Sequence, residues 1–158
     1  MVKIFVQCLV FVWQDDKIHL LLQKRQNTGY LDGFYSTPGG QLKTGEHPTQ
    51  AMIRELKEEL DMNNTNIPKL YKIISRTDGV DTYLDLYYIL LCKDENTYSY
   101  KNNEPDLCSE LKLFKSDQLN WFKINPNLRE LLISMDYCLD TIIQTEQQKS
   151  NLIELYNL

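Results

Sequence analysis

The sequence predicts an α/β fold, a sandwich of strands around a central helix with a second helix at the C-terminus. Three observations predict it. Apolar runs rich in Val, Ile, Phe and Tyr recur at 2–13, 18–25, 69–77 and 82–92. A glycine-rich stretch leads from the second run into an acidic helical pattern. From Pro126 onward, apolar residues fall at helical spacing.

The elements follow in order. Val2 to Trp13 reads as a strand, "QDDK" turns the chain, and "IHLLLQKR" is a second strand, so the pair forms a hairpin. The stretch "QNTGYLDGFYSTPGG" holds four of the six glycines, which marks an ordered loop with backbone angles other residues avoid. A helix begins near Pro48, a favourable first-turn residue. Its apolar stripe is Leu56 and Leu60 with Met52 or Ile53. "DMNNTNIP" ends it. "KLYKIISRT" and "TYLDLYYILLC" are strands around a turn at Asp78-Gly79. The polar loop "KDENTYSYKNNEPDLCSE" leads to a short strand, "LKLFK". Pro126 to the end is helical, with a break near Lys149-Ser150. No repeat, linker or low-complexity segment appears, so one domain over 1–158 is expected.

Composition narrows the function. A net charge of −5 argues against a broad nucleic-acid or anionic-membrane surface, which needs clustered Lys and Arg. Cys8, Cys92, Cys108 and Cys138 form no C-x-x-C pair and no cysteine-histidine cluster, so reduced thiols in a cytoplasmic protein are expected and zinc is not. The apolar N-terminus is interrupted at Gln7, is too short to span a bilayer and has no small-residue cleavage site.

The chemistry sits in "YSTPGGQLKTGEHPTQAMIRELKEEL", Tyr35 to Leu60. Helical spacing puts Glu55, Glu58 and Glu59 within an arc of about 100°. Like charges three and four apart cost a few tenths of a kcal/mol per pair. Alone, "RELKEEL" is most simply a solvated face. The upstream residues change that reading: Gly40, five residues, Glu46, seven residues, Arg54-Glu55, Leu56, one residue, Glu58-Glu59. This pattern resembles the signature of the Nudix hydrolases, the MutT-like family. One position departs, because Asp61 stands where the signature has a glycine that ends the helix in the left-handed conformation. Asp tolerates that conformation better than most residues.

The resemblance implies a Nudix-type α/β/α sandwich with a mixed sheet, a catalytic loop-helix and a C-terminal helix. It implies hydrolysis of a nucleoside diphosphate linked to another group, with Mg²⁺ or Mn²⁺ as cofactor. It makes Glu55, Glu58 and Glu59, with the carbonyl of Gly39, the expected metal ligands. Glu55 is one candidate base. A later-loop acid, Glu104 ahead of Glu110, is the other. Arg54 and Glu46 are expected to pair and to orient Glu55. Lys24 and Arg25 end a strand where family members contact phosphate; a solvated strand end is the plainer alternative. Tyr30 and Tyr35 either stack on a base or pack the loop. Asn120, Asn125 and Asn127 either read a purine edge or serve turns. His19 and His47 are not expected to be catalysts, and the "YLDLYY" aromatics are core or sheet surface.

The leading expectation is a house-cleaning, metal-dependent nucleoside triphosphate diphosphatase, monomer or homodimer, acting on a small nucleotide and away from membranes. ADP-ribose, a dinucleoside polyphosphate, a nucleotide sugar or capped RNA are alternative substrates. A non-catalytic nucleotide-sensing module is the alternative of another class.

Overall fold

A computed structural model describes residues 1–63, 67–92, 99–115, 117–118 and 122–143, with side chains described as far as residue 135 in the last helix. The elements are β1 (Val2–Gln14), β2 (Lys17–Arg25), β3 (Tyr35–Ser36), β4 (Gly39–Gln41), α1 (Pro48–Leu60), β5 (Lys69–Thr77), β6 (Thr82–Cys92), β7 (Cys108–Phe114) and α2 (Pro126–Ile143). The expected break at Lys149-Ser150, Asn120 and the side chain of Cys138 lie outside the described residues. Cys8, Cys92 and Cys108 are free and buried.

The sheet is mixed, in the order β3-β2-β1-β6-β5, with β4 added to β1 and β7 to β2. β1 and β6 run parallel, and the remaining pairings between these strands are antiparallel. The β1–β2 hairpin turns through Asp15 and Asp16, both at positive φ (53° and 57°), which suits a tight two-residue connection. Two features depart from the sequence reading. The glycine-rich loop contains β3 and β4, too short to show any alternation. β7 starts at Cys108, earlier than "LKLFK", because a bulge at Lys24/Arg25 lets pairing with β2 continue to Arg25.

Side-chain alternation gives the sheet two apolar faces. On one, Val6, Cys8, Val10 and Val12 of β1 pack with Ala51, Met52, Leu56 and Leu60 of α1. On the other, Leu9 and Phe11 pack with Ile89 and Leu91 of β6 and with Leu128, Leu131, Leu132 and Met135 of α2. The result is an α/β/α sandwich. Met52 is fully buried while Ile53 is half exposed, so Met52 carries the stripe. Among the described residues, no helix is long and apolar enough to cross a membrane.

A local divergence opens the fold. β1 pairs with β2 over Val10–Gln14 but with β4 over Phe5–Gln7, while the far end of β2 pairs with β3 at Gln23–Lys24. The two long strands therefore part, and β3, Thr37-Pro38 and β4 fill the fork. Among the described residues, α2 covers one end of the sheet face that holds Leu9 and Phe11, and the other end is lined by the polar residues Arg76 and Asp85.

α1 is capped at both ends. The Nδ1 of His47 accepts from the N–H of Thr49 (3.2 Å), Pro48 follows, and Asp61 closes the helix in the left-handed conformation (φ 51°, ψ 32°). That conformation strains any side chain with a Cβ. Asp61→Gly is expected to raise the thermal midpoint by roughly 2–4 °C, equivalent to about 1 kcal/mol. A lower midpoint in a melting curve would show that the Asp61 carboxylate, 3.5 Å from Lys101 Nζ, does more than offset the strain.

Candidate active site

The fork between β1 and β2 continues into a cavity of about 820 Å³. Its lining includes Glu59 and Glu104 at one end, Gly39 and Gly40 of β4, and Arg76, Tyr83 and Asp85 on the sheet floor.

Arg54 organises the acidic end. Its Nε and Nη2 donate to the two oxygens of Glu46 (2.7 and 3.1 Å), and its Nη1 donates to Glu55 Oε1 (2.6 Å) and Glu58 Oε2 (3.1 Å). The fork-shaped guanidinium suits this bridging, which a lysine could not reproduce. The Arg54 hydrogen bonds hold the Glu46 carboxyl down at about 2. Glu55 moves the other way: burial raises it, and Arg54 only partly opposes this. Its carboxylate lies flat against β4, so that a methyl at Gly40 would come within 2.6 Å of Glu55 Cδ. Glycine at 40 is a packing requirement of that carboxylate.

Glu59 reaches into the fork. Its Oε2 accepts from the Gly39 N–H (2.9 Å) and from Gln23 Nε2 (3.1 Å). Burial pushes its carboxyl up to about 8 despite these donors, with the charges of Glu55 and Glu104 adding to the rise. Glu104 is raised by burial and then by the charges of Glu55 and Glu58. The 101–104 segment is fastened to the end of α1. Lys101 N–H donates to the Leu60 carbonyl, Asn103 N–H to that of Glu59, and Asn103 Nδ2 to that of Glu58. These donors satisfy the last carbonyls of the helix and carry Glu104 to the carboxylates.

The other expected site residues divide. Arg25 lines the cavity, donates from Nε to the Tyr30 carbonyl (2.8 Å) and sits beside the Tyr30 ring. Tyr30 is exposed and lines the same wall. Asn125 and Asn127 line the cavity, and Asn125 Oδ1 caps α2 by accepting from the N–H groups of Asn127 and Leu128. Lys24 and Tyr35 are corrections. Strand alternation turns Lys24 away from the cavity that its neighbours Gln23 and Arg25 line, and its ammonium lies 5.8 Å from the centre of the Tyr35 ring. Tyr35 is buried with its ring edge-on to Phe114 and Phe122, and its hydroxyl donates to Glu110 (2.6 Å). That bond occupies Glu110 outside the cavity, so Glu104 is the loop acid that faces the cluster.

Sequence reading missed Gln23, Asn103, Arg76 and Asp85. Asp85 had a visible signal as the single charge in the apolar strand "TYLDLYYILLC".

Among the described residues, no three acids or other ligating side chains already stand close enough to hold an ion. Their chemistry fits a hard one: the carboxylates and a peptide carbonyl offer only oxygen. Cys108 also lines the cavity, but burial raises its thiol and Sγ donates to the Glu110 carbonyl. Glu58 is half exposed and paired with Arg54 at 3.1 Å.

Comparison with known proteins follows the same direction. The NUDIX domain family model matches residues 5–134. The chain is 29% identical over 87 residues to an 8-oxo-dGTP diphosphatase of Proteus vulgaris, covering 55% of this chain and 76% of that protein. The NUDIX domain of Shewanella oneidensis NrtR, complexed with ADP ribose, superposes with a TM-score of 0.71 at 16% identity, over 87% of this chain and 88% of that one. A MutT NUDIX hydrolase from Burkholderia pseudomallei gives 0.66 at 22% identity, over 84% and 96%. At these identities the two structures establish the shared fold.

The raised Glu59 carboxyl has a consequence for stability. The folded protein holds this proton from about 4.5, its ordinary value, up to about 8. Its contribution is therefore complete below 4.5 and is lost as pH rises through 8. In chelator, denaturation midpoints should fall across that window, and Glu59→Gln should flatten the fall. A wild-type midpoint that stays level from pH 5 to 8.5 would contradict the assignment.

Proposed function

The chain belongs to the NUDIX domain family, and from that premise we propose that it hydrolyses a nucleoside triphosphate to a nucleoside monophosphate and diphosphate. It is a hydrolase of phosphorus-containing anhydrides, and the nucleoside triphosphate is our reading of its substrate. One observation carries the reading. Glu59 and Glu104 line a cavity whose other walls are aromatic and amide-rich and whose size suits a nucleotide, and the charges of Glu55 and Glu58 act on Glu104 from beside it. The relation to the Proteus diphosphatase supports the same choice.

Mg²⁺ is the proposed cofactor, with Mn²⁺ able to replace it. Glu55, Glu58, Glu59 and the Gly39 carbonyl would hold it. Once bound it offsets phosphate charge and activates water. The residues do the rest. Arg54, tied to Glu46, fixes the Glu55 carboxylate against Gly40 and so sets its direction. Glu104, whose proton affinity is raised by burial and neighbouring charge, takes the proton of the attacking water. The water oxygen bonds to phosphorus as the bridging P–O bond breaks, and its electron pair leaves with the diphosphate. Arg25 stands at the wall as a cation for the outer phosphates. Lys24 has no part.

ADP-ribose is the second reading, supported by the Shewanella domain, which shares this fold. A sensing module without turnover is disfavoured because all the acids of the signature are present. Cytoplasmic placement and action on a small nucleotide remain part of the proposal.

A panel of nucleoside triphosphates, ADP-ribose and a dinucleoside polyphosphate, assayed with Mg²⁺ and with chelator, tests the reading. Triphosphates are expected to turn over fastest, with release of diphosphate and none in chelator. Glu59→Gln should lower kcat by at least about 100-fold, and Glu104→Gln by about 100-fold or more with little change in KM. Undiminished activity in Glu59→Gln would refute the site. Faster turnover of ADP-ribose would replace the substrate.

A further inference from the structure

Glu59 is held differently from the acids that Arg54 binds. Arg54 donates to Glu46, Glu55 and Glu58. Among the described residues, Glu59 is held by two neutral donors, and both reach the same oxygen. The Gly39 N–H donates to Oε2 at 2.9 Å, and Gln23 Nε2 donates to it at 3.1 Å. Oε1, to which no described residue donates, is the oxygen left to the cavity that Glu59 lines.

The two donors stand on opposite sides of the fork. Gly39 belongs to β4 and pairs with Gln7 of β1, while Gln23 belongs to β2. Gln23 has Ser36 of β3 on one side and Leu111 of β7 on the other. Pairing on both edges fixes its backbone, and only 9% of the residue is exposed. Its amide is therefore delivered from a rigid support.

The residue type points to a role. Gln23 lies two positions beyond Leu21, on the same face of β2. Leu21 packs in the apolar cluster with Leu56 and Leu60 of α1. An apolar residue at 23 would continue that cluster, and burying an amide costs more than burying a hydrocarbon. The change from leucine to glutamine falls where β2 meets Glu59. Arg54 brings a full positive charge to its partners. The neutral amide of Gln23 orients a carboxylate and leaves its charge whole. Glu59 so combines an undiminished charge with a fixed direction, which suits a ligand of a hard cation.

We propose that Gln23 is a positioning residue for Glu59: its amide, with the Gly39 N–H, fastens Oε2 across the fork and leaves Oε1 turned to a divalent cation. This deepens the reading of the acidic end as a cation site and rests on it. In this role Gln23 acts through Glu59 alone.

Mn²⁺ binding to the nucleotide-free protein, followed by loss of the free-ion paramagnetic resonance signal, tests this without turnover. Gln23→Met keeps the length of the side chain and removes the donor. It is expected to bind Mn²⁺ at least about tenfold more weakly than wild type. Glu59→Gln should also weaken binding. Adding Gln23→Met to Glu59→Gln should change the affinity by less than about twofold, because both act through one carboxylate. A melting curve in chelator checks the fold. If Gln23→Met melts early, Gln23→Asn, whose amide sits one carbon short of Oε2, carries the same expectation. Wild-type Mn²⁺ affinity in a folded position-23 variant overturns the proposal. So does a full tenfold further loss in the Glu59→Gln background. Mn²⁺ affinity unchanged by Glu59→Gln removes the cation site itself, so the two readings fail separately.

Discussion

A single guanidinium makes the acidic helix possible. Glu46, Glu55 and Glu58 all bind Arg54, at 2.6 to 3.1 Å, while Glu59 and Glu104 crowd the same end of the cavity without it. Without Arg54, carboxylates on successive turns would repel one another and turn to water. With it, the loop that carries Glu46 is locked to the helix, and Glu55 is pressed against the backbone of β4. The compensation is deliberately incomplete in effect: burial leaves Glu59 and Glu104 with raised proton affinity. A site of this kind is attractive to a cation and repels a bare polyphosphate.

The fold positions that charge by parting two strands. β1 and β2 leave the hairpin together and then take different partners, β4 and β3. Into the gap come Glu59 from α1 and Gln23 from β2, held together through a 3.1 Å hydrogen bond. Among the described residues, α2 packs on the apolar end of one sheet face, and the polar end, with Arg76 and Asp85, forms a floor. The cavity is therefore what remains where the sandwich is left unfilled, and its lining is the part of each strand where apolar alternation gives way to polar residues. Its acidic end, anchored at Gly39 of β4, and its floor on β6 are joined through β1, which pairs with both strands, so strand geometry sets the spacing between them.

Much of this was legible in the sequence because it is local. The glycine, the two ends of the Glu46–Arg54 pair and the three helix acids lie within twenty residues, and helical periodicity alone gathers the acids. The left-handed end at Asp61 followed from which side chains accept that conformation. What escaped depends on pairing across long separations. Gln23 meets Glu59 from 36 positions away, and Asn103 meets Glu58 from 45. Lys24 and Arg25 read alike in the chain, but the register of β2 with β3 and β7 sends them to opposite faces. Tyr35 looked like a loop aromatic because β3 is two residues long, yet pairing with β2 turns its ring into the core. Asp85 was overlooked within an apolar strand, although one charge in such a run needs a partner and Arg76 supplies it.

Crystals grown with Mn²⁺ and measured at a wavelength where manganese scatters anomalously address the central claim most directly. The account predicts an anomalous peak bounded by Glu55, Glu58, Glu59 and the Gly39 carbonyl, with Arg54 still on Glu46. Manganese density elsewhere, or those three carboxylates turned to bulk solvent in manganese-saturated crystals, would contradict it.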